Sequence, residues 1–319
     1  MFLAALVCLF CLASCTGDVT DEKVRIAVIA KSTQSDFWHN VFAGVNSAAT
    51  EYNAEVTIAG PTSEEDYVTQ NNMIERAFEN GADAIVLSAI DYNKSTSVVE
   101  KAIAGGVRVV MIDSDINSDK TSLFIGTDNY EAGRMAAEAA IEQSKQMWDG
   151  AAGYLYVGIV NYDENSDNGQ QREKGFRDRL SEQSDVKIVS SINVASTVED
   201  ATNGAKTMLE EHPEINVIAG FNEYMTLGVG YAVQLLERAS SVCAVGFDSN
   251  VVSIGMLETG EMDALVVQNP FAMGYLGVKN AYELASGKKS GEDTLTTNYC
   301  ITKQNMYDES SQKILFKFD

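Results

Sequence analysis

Proline and histidine are scarce in this 319-residue chain, with 3 of the first and 2 of the second, and 23 basic residues face 46 acidic ones. Each shortage excludes something. So few prolines leave no material for a proline-rich linker, and no glycine- or serine-rich stretch takes its place. His39 and His212 lie far apart, with no cysteine or carboxylate at ligand spacing, so no metal site is expected. The formal charge of -23 repels nucleic-acid phosphates and anionic lipid surfaces, which argues against a nucleic-acid partner. No glycine-rich phosphate loop follows a strand. No serine, cysteine and histidine set has the spacing of an activated nucleophile. Neither an enzyme nor a cofactor is expected.

What is present is a length sufficient for two cores and a hydrophobic fraction of 45%. Met1 to Cys15 is apolar and uncharged, too short to span a membrane and suited to a signal-peptide core. Leu12-Ala13-Ser14-Cys15 looks like a bacterial lipobox, so Cys15 is the expected lipidation site, residues 1–15 the signal and residues 16–23 a tether. The positively charged start usual in such a signal is absent. The reading places the protein outside the cytoplasm, held to the cell membrane through lipid alone. Cys8 and Cys11 would leave with the signal, and Cys243 and Cys300 are expected as unlinked thiols.

From Val24 the chain alternates. Apolar runs at Val24 to Ala30, Val56 to Ala59, Ala84 to Ser88, Val107 to Ile112 and Leu123 to Gly126 are separated by segments with helical spacing, which reads as five strands with crossover helices. The pattern restarts with Tyr154 to Val160, Val186 to Ile192, Val217 to Phe221, Val242 to Phe247 and Leu265 to Val267. This predicts an α/β protein of two doubly wound parallel-sheet lobes joined by a multi-crossing hinge. The expected lobes are residues 24–126 with 269–296 returning to them, and residues 127–268 with 297–319. No internal repeat is evident by eye.

Ligands of open α/β sheets collect beyond the carboxyl ends of the strands. There the chain carries Ser88 and Asp91, Asp113, Asn222, Asp248 and Gln268, and after the first strand a polar turn followed by Phe37 and Trp38. Strand-end carboxylates must be hydrogen-bonded, either as helix caps or to a polar ligand. Asp91, Asp128 and Asn129 fit capping, whereas Asp113 and Asp248 fit ligand contact. Carboxylates and amides suit the neighbouring hydroxyls of a polyol. Phe37 and Trp38 either staple the next helix or offer flat faces to a sugar ring. Asp163 to Gly169 has the start of a calcium loop, but Lys174 stands where its closing glutamate would be, so it reads as a solvated turn.

Ala27 to Trp38, Thr127-Asp128-Asn129 with Ala132-Gly133, Gln171 to Phe176, Val245 to Asp248 and Gln268-Asn269-Pro270 occur in one order. On these pieces the chain resembles the type I periplasmic-binding-protein family, the ribose and galactose class of sugar receptors of ABC importers, in a Gram-positive lipoprotein form. The resemblance implies ligand contacts at Phe37, Trp38, Asp113, Asn222, Asp248 and Gln268. By position alone it adds Ser35 and Ser88, and Asp91 and Gln170 are taken with them as candidate ligand contacts. It departs at Ser114 and Gln170, where the ribose type has arginines, and at Ser196, which is often aromatic. Losing two guanidinium forks points away from ribose itself and toward a larger sugar or another polyol.

The implied function is capture of a sugar or polyol by closure of two lobes and delivery to ABC permease subunits, by a monomer. A sensory module presenting its closed form to a chemoreceptor or histidine kinase would have the same sequence features. A lac-repressor-type regulator would need an amino-terminal helix-turn-helix, where this chain has a hydrophobic signal.

Overall fold

The computed structural model describes residues 23–148, 153–289 and 291–316. The expected signal, Cys15 and all of the tether but Lys23 lie outside the described residues, as do residues 317–319.

The first sheet holds β1 (Arg25–Ile29), β2 (Glu55–Ala59), β3 (Ala84–Leu87), β4 (Arg108–Ile112) and β5 (Leu123–Gly126), with α1 (Asp36–Glu51), α2 (Tyr67–Glu79) and α3 (Thr96–Ala104) between the first four, while residues 113–122, short and polar, pass from β4 to β5 without the expected crossover helix. After β5 the chain crosses into α4 (Asn129–Met147) and builds a second sheet from β6 (Leu155–Asn161), β7 (Val186–Asn193), β8 (Val217–Gly220), β9 (Cys243–Phe247) and β10 (Ala264–Val267). The helices α5 (Asp167–Ser181), α6 (Val198–Glu211), α7 (Glu223–Leu235) and α8 (Val251–Thr259) connect these strands. The chain then returns through α9 (Pro270–Ala285) and β11 (Thr294–Leu295), and crosses a last time to β12 (Tyr299–Thr302) and α10 (Glu309–Leu315).

Both sheets have the same order, β2-β1-β3-β4-β5-β11 and β7-β6-β8-β9-β10-β12. Every pairing is parallel except that of β12 with β10. The repeat invisible in the sequence is thus explicit in the topology.

Helices cover both faces of the first sheet, which is why its central strands are apolar at consecutive positions rather than alternating. Val28, Val86, Val110 and Ile112 pack with Val41 and Met273 of α1 and α9, while Ile29, Ile85 and Leu87 pack with Ile74 and Val99 of α2 and α3. The stripe of small residues on α4 is buried, and Gly133 within it lets α5 approach closely: a Cβ there would collide with the carbonyl of Arg172. Gly175 has the reciprocal contact with the carbonyl of Tyr130. The packing of α4 on α5 therefore sets where Arg172 sits.

The crossings lie side by side and are tied together. The Thr127 hydroxyl is 2.7 Å from Gln268 Oε1 and 3.3 Å from Asn298 Oδ1, one residue from each crossing segment. Strands that must bend together make a hinge rather than a swivel. Cys243 is buried, Cys300 is half-buried and both are free thiols. Among the described residues no helix is long and apolar enough to cross a membrane.

Candidate functional site

The carboxyl edges of the two sheets face each other across a cavity lined from both lobes. The first lobe lines it with Lys31, Ser35, Phe37 and Trp38 from the β1–α1 connection, Glu64 from the β2–α2 loop and Asp113 after β4. The second lobe contributes Tyr162, Asn168 and Arg172 around the start of α5, Asn222 to Tyr224 at the start of α7, and Asp248 after β9. Gln268 comes from a crossing segment.

Each wall is held by bonds its own fold dictates. Ser35 and Asn222 are the N-caps of α1 and α7, accepting from the amides of Trp38 and Met225. Trp38 is fully buried: its indole Nε1 donates to Glu64 at 2.8 Å and Phe37 meets it edge-on at 5.1 Å. Trp38 is therefore a wall, with Phe37 the more open of the two rings.

The lobes touch directly around this cavity. Lys31 Nζ donates to Ser166 Oγ at 2.7 Å and Asn168 Oδ1 at 2.9 Å, and lies 3.9 Å from Asp113. Asn168 Nδ2 in turn donates to both oxygens of Asp113 at 3.1 and 3.2 Å. The Ser196 hydroxyl donates to Glu64 at 3.0 Å, and the amide of Phe37 to Glu223 at 3.0 Å. The structure is the closed form.

Burial dominates the titration of the site. It lowers the pKa of Lys31, against the attraction of Asp113 and Glu64, and it raises that of Glu64, against Lys31 and the bonds from Trp38 and Ser196. Burial pushes Asp248 up to about 7, with the nearby Arg172 and the Gln268 amide working the other way.

One group in this cavity lacks what its burial demands. Arg172 donates from Nε to Asn129 Oδ1 and from Nη1 to the Phe221 carbonyl, both at 2.8 Å, and its guanidinium lies 4.6 Å from the centre of the Phe247 ring. Its Nη2 is buried with no hydrogen-bond partner. A guanidinium held this rigidly leaves one buried nitrogen with donor capacity unspent.

The family description "periplasmic binding protein domain" matches residues 26–289. The chain belongs to the periplasmic binding protein domain family. Among relatives of this family member, the D-ribose/D-allose-binding protein of Pseudomonas aeruginosa is 29% identical over 277 residues, covering 84% of each chain. The D-allose-binding periplasmic protein of Escherichia coli is 26% identical, covering 83% of this chain and 85% of its own. A carbohydrate transporter solute binding protein from Agrobacterium radiobacter, solved with D-arabinose, superimposes with a TM-score of 0.90 at 28% identity, covering 93% of this chain and all of its own. An ABC transporter solute binding protein from Agrobacterium vitis with bound D-fucose has a TM-score of 0.86 at 30% identity, over 92% of this chain and all of its own.

Of the residues singled out in the sequence, this binding-protein fold brings Ser35, Phe37, Trp38, Asp113, Asn222, Asp248 and Gln268 to one cavity. Three others stand outside its lining. Ser88 is buried behind Asp113 and donates to its Oδ2 at 2.8 Å, so it orients that carboxylate. Asp91 accepts from the amides of Asn93 and Lys94 at 2.9 and 2.8 Å, so it neither lines the cavity nor caps a helix: residues 92–95 form a turn, and α3 begins only at Thr96 with Ser95 as its N-cap. Gln170 is exposed and bonds to the carbonyl of Glu164. Position on α5 is the reason: Arg172, two residues on, points inward where Gln170 points out.

The guanidinium expected to be missing at Gln170 is thus supplied from Arg172, which the sequence reading treated only as part of a family motif. Glu64, Tyr162, Asn168, Glu223 and Tyr224 were also missed. The Asp163 to Gly169 segment, read as a solvated turn, ends in Ser166 and Asn168, both buried against Lys31. The signal available for it was a run of small polar residues directly after β6.

Proposed function

We propose that the chain captures a neutral monosaccharide or related polyol by hinge closure and hands it, from a lipid-anchored position outside the cytoplasm, to an ABC importer. The observation that carries this reading is the unpartnered Nη2 of Arg172, buried in a cavity whose walls come from both lobes. A ligand there gains contacts that exist only when the lobes are together, which is the differential affinity that shifts a population to the closed state.

The lining favours a ligand rich in hydroxyls. Hydroxyls can donate to Asp113 and Asp248 and accept from Arg172. Relatives described as binding ribose, allose, arabinose and fucose support the same class.

Thermal-shift and calorimetric titration against pentoses, hexoses and inositols tests this. One class should raise the melting temperature, by roughly 2.7 kcal/mol of stabilisation at a hundred times Kd. A panel that changes neither the melting temperature nor the tryptophan emission overturns the reading.

A further inference from the structure

Beside the first cavity, on the hinge side, lies a second and larger one. Phe37, Asp248 and Gln268 line both, so the two chambers adjoin at these side chains. Beyond them the second chamber is lined by Phe271 at the start of α9, Tyr299 at the start of β12 and Lys313 of α10. We propose that this chamber is a subsite for the second ring of an O-linked glycoside whose first ring occupies the cavity at Arg172. The inference rests on the proposed function and extends its substrate class from free monosaccharides to glycosides.

The walls have the chemistry for this. Phe271 and Tyr299 keep 36% and 37% of their surface exposed, flat apolar faces suited to the C–H face of a sugar or to another ring. Both rings are held in place. Phe271 stacks on Tyr275 at 6.4 Å with an interplanar angle of 11°, and Tyr299 pairs with Val267 in the β10–β12 ladder, next to Gln268. Ser249 and the ammonium of Lys313, which Glu309 holds at 2.6 Å, supply the polar edge.

The chamber also closes with the lobes. Its residues come from the first lobe at Phe37, the second at Asp248 and the crossing at Gln268, so a ring bound there adds to closure as the first ring does. Phe271 and Tyr299 line only the second chamber, so they can be changed without touching the groups that hold the first ring.

The test titrates full-length protein in detergent with D-glucose, D-galactose, D-allose, D-ribose and D-arabinose, and then with their phenyl glycosides and with lactose, melibiose and cellobiose. At least one glycoside should bind about tenfold more tightly than its parent sugar, the contribution of one well-placed aromatic contact. Tyr299→Ala and Phe271→Ala should each remove that advantage while leaving the parent sugar's Kd within about twofold, which also reports that the variant is folded. Glycosides that bind no more tightly than their parents overturn the inference and leave the monosaccharide reading standing. Equal weakening of parent and glycoside by Tyr299→Ala overturns it too. A protein that binds no sugar of either kind overturns both readings together.

Discussion

Asp113 and Asp248 end the equivalent strands β4 and β9 in the same left-handed backbone conformation, with φ of 59° and 66°. Each amide donates to the next strand over, Asp113 to Ile125 of β5 at 3.1 Å and Asp248 to Val266 of β10 at 2.9 Å. For a residue with a Cβ this conformation costs roughly 1–2 kcal/mol, and aspartate and asparagine tolerate it best. The two lobes thus hold their carboxylates in the cavity by one backbone device used twice.

Asp248 makes stability depend on pH. Its carboxyl is raised from 3.8 to about 7 in the folded chain, so between those values the folded state keeps a proton that the unfolded state releases. The contribution is fully present below the unfolded value and is lost as pH rises through about 7. Asp248→Asn, which suits the same backbone, should flatten this part of the curve of melting temperature against pH. It should also melt higher than the parent at about pH 8. Parallel curves for the two proteins would contradict the assignment.

Arg172→Lys should weaken sugar binding by about 100-fold, because an ammonium cannot reach Asn129, the Phe221 carbonyl and a ligand oxygen at once. Gln170→Ala, on the outer side of the same helix, should leave Kd within about twofold. Calorimetric titration of the two variants against the parent decides it, and a Gln170 effect as large as that of Arg172 would restore the family position as the ligand contact.

Gly133→Ala should act at a distance. The added methyl meets the Arg172 carbonyl, so α5 must shift, at a cost of roughly 1–3 kcal/mol in stability, and the guanidinium shifts with it. Denaturant unfolding and Kd should therefore change together. Loss of stability with unchanged affinity would show that α5 absorbs the methyl without moving Arg172.

Lys31→Met should weaken closure. The lysine is buried in the first lobe and spends its hydrogen bonds on Ser166 and Asn168 of the second. Removing them should raise Kd by about 30-fold, equivalent to roughly 2 kcal/mol, chiefly through faster dissociation. Scattering at saturating sugar should still show the compact form. An unchanged dissociation rate would mean that Lys31 contributes nothing to holding the lobes together.

The site was legible in the sequence where the residues sit directly on strand ends. Asp113, Asn222, Asp248 and Gln268 follow apolar runs, and a buried parallel strand must deliver its next residues to the sheet's carboxyl edge. Phe37 and Trp38 were legible for a similar reason, one short turn after β1. Ser88 and Asp91 follow a strand equally well, yet one turns behind Asp113 and the other into its own turn, since neighbouring amides and hydroxyls compete for each carboxylate. Arg172 and Gln170 could be told apart only by the angle at which α5 lies on α4.

By itself, then, the order of apolar runs and breaks determined two parallel sheets and the strand ends at which a ligand would be met, because hydrophobic periodicity is a local property of the chain. Which groups face one another was decided only by the tertiary structure. Lys31 and Ser166 are 135 residues apart and belong to different lobes, and nothing local to either one encodes their 2.7 Å contact. That contact forms when the crossing segments set the two sheets edge to edge, and the same arrangement buries Arg172 with one nitrogen left unpartnered.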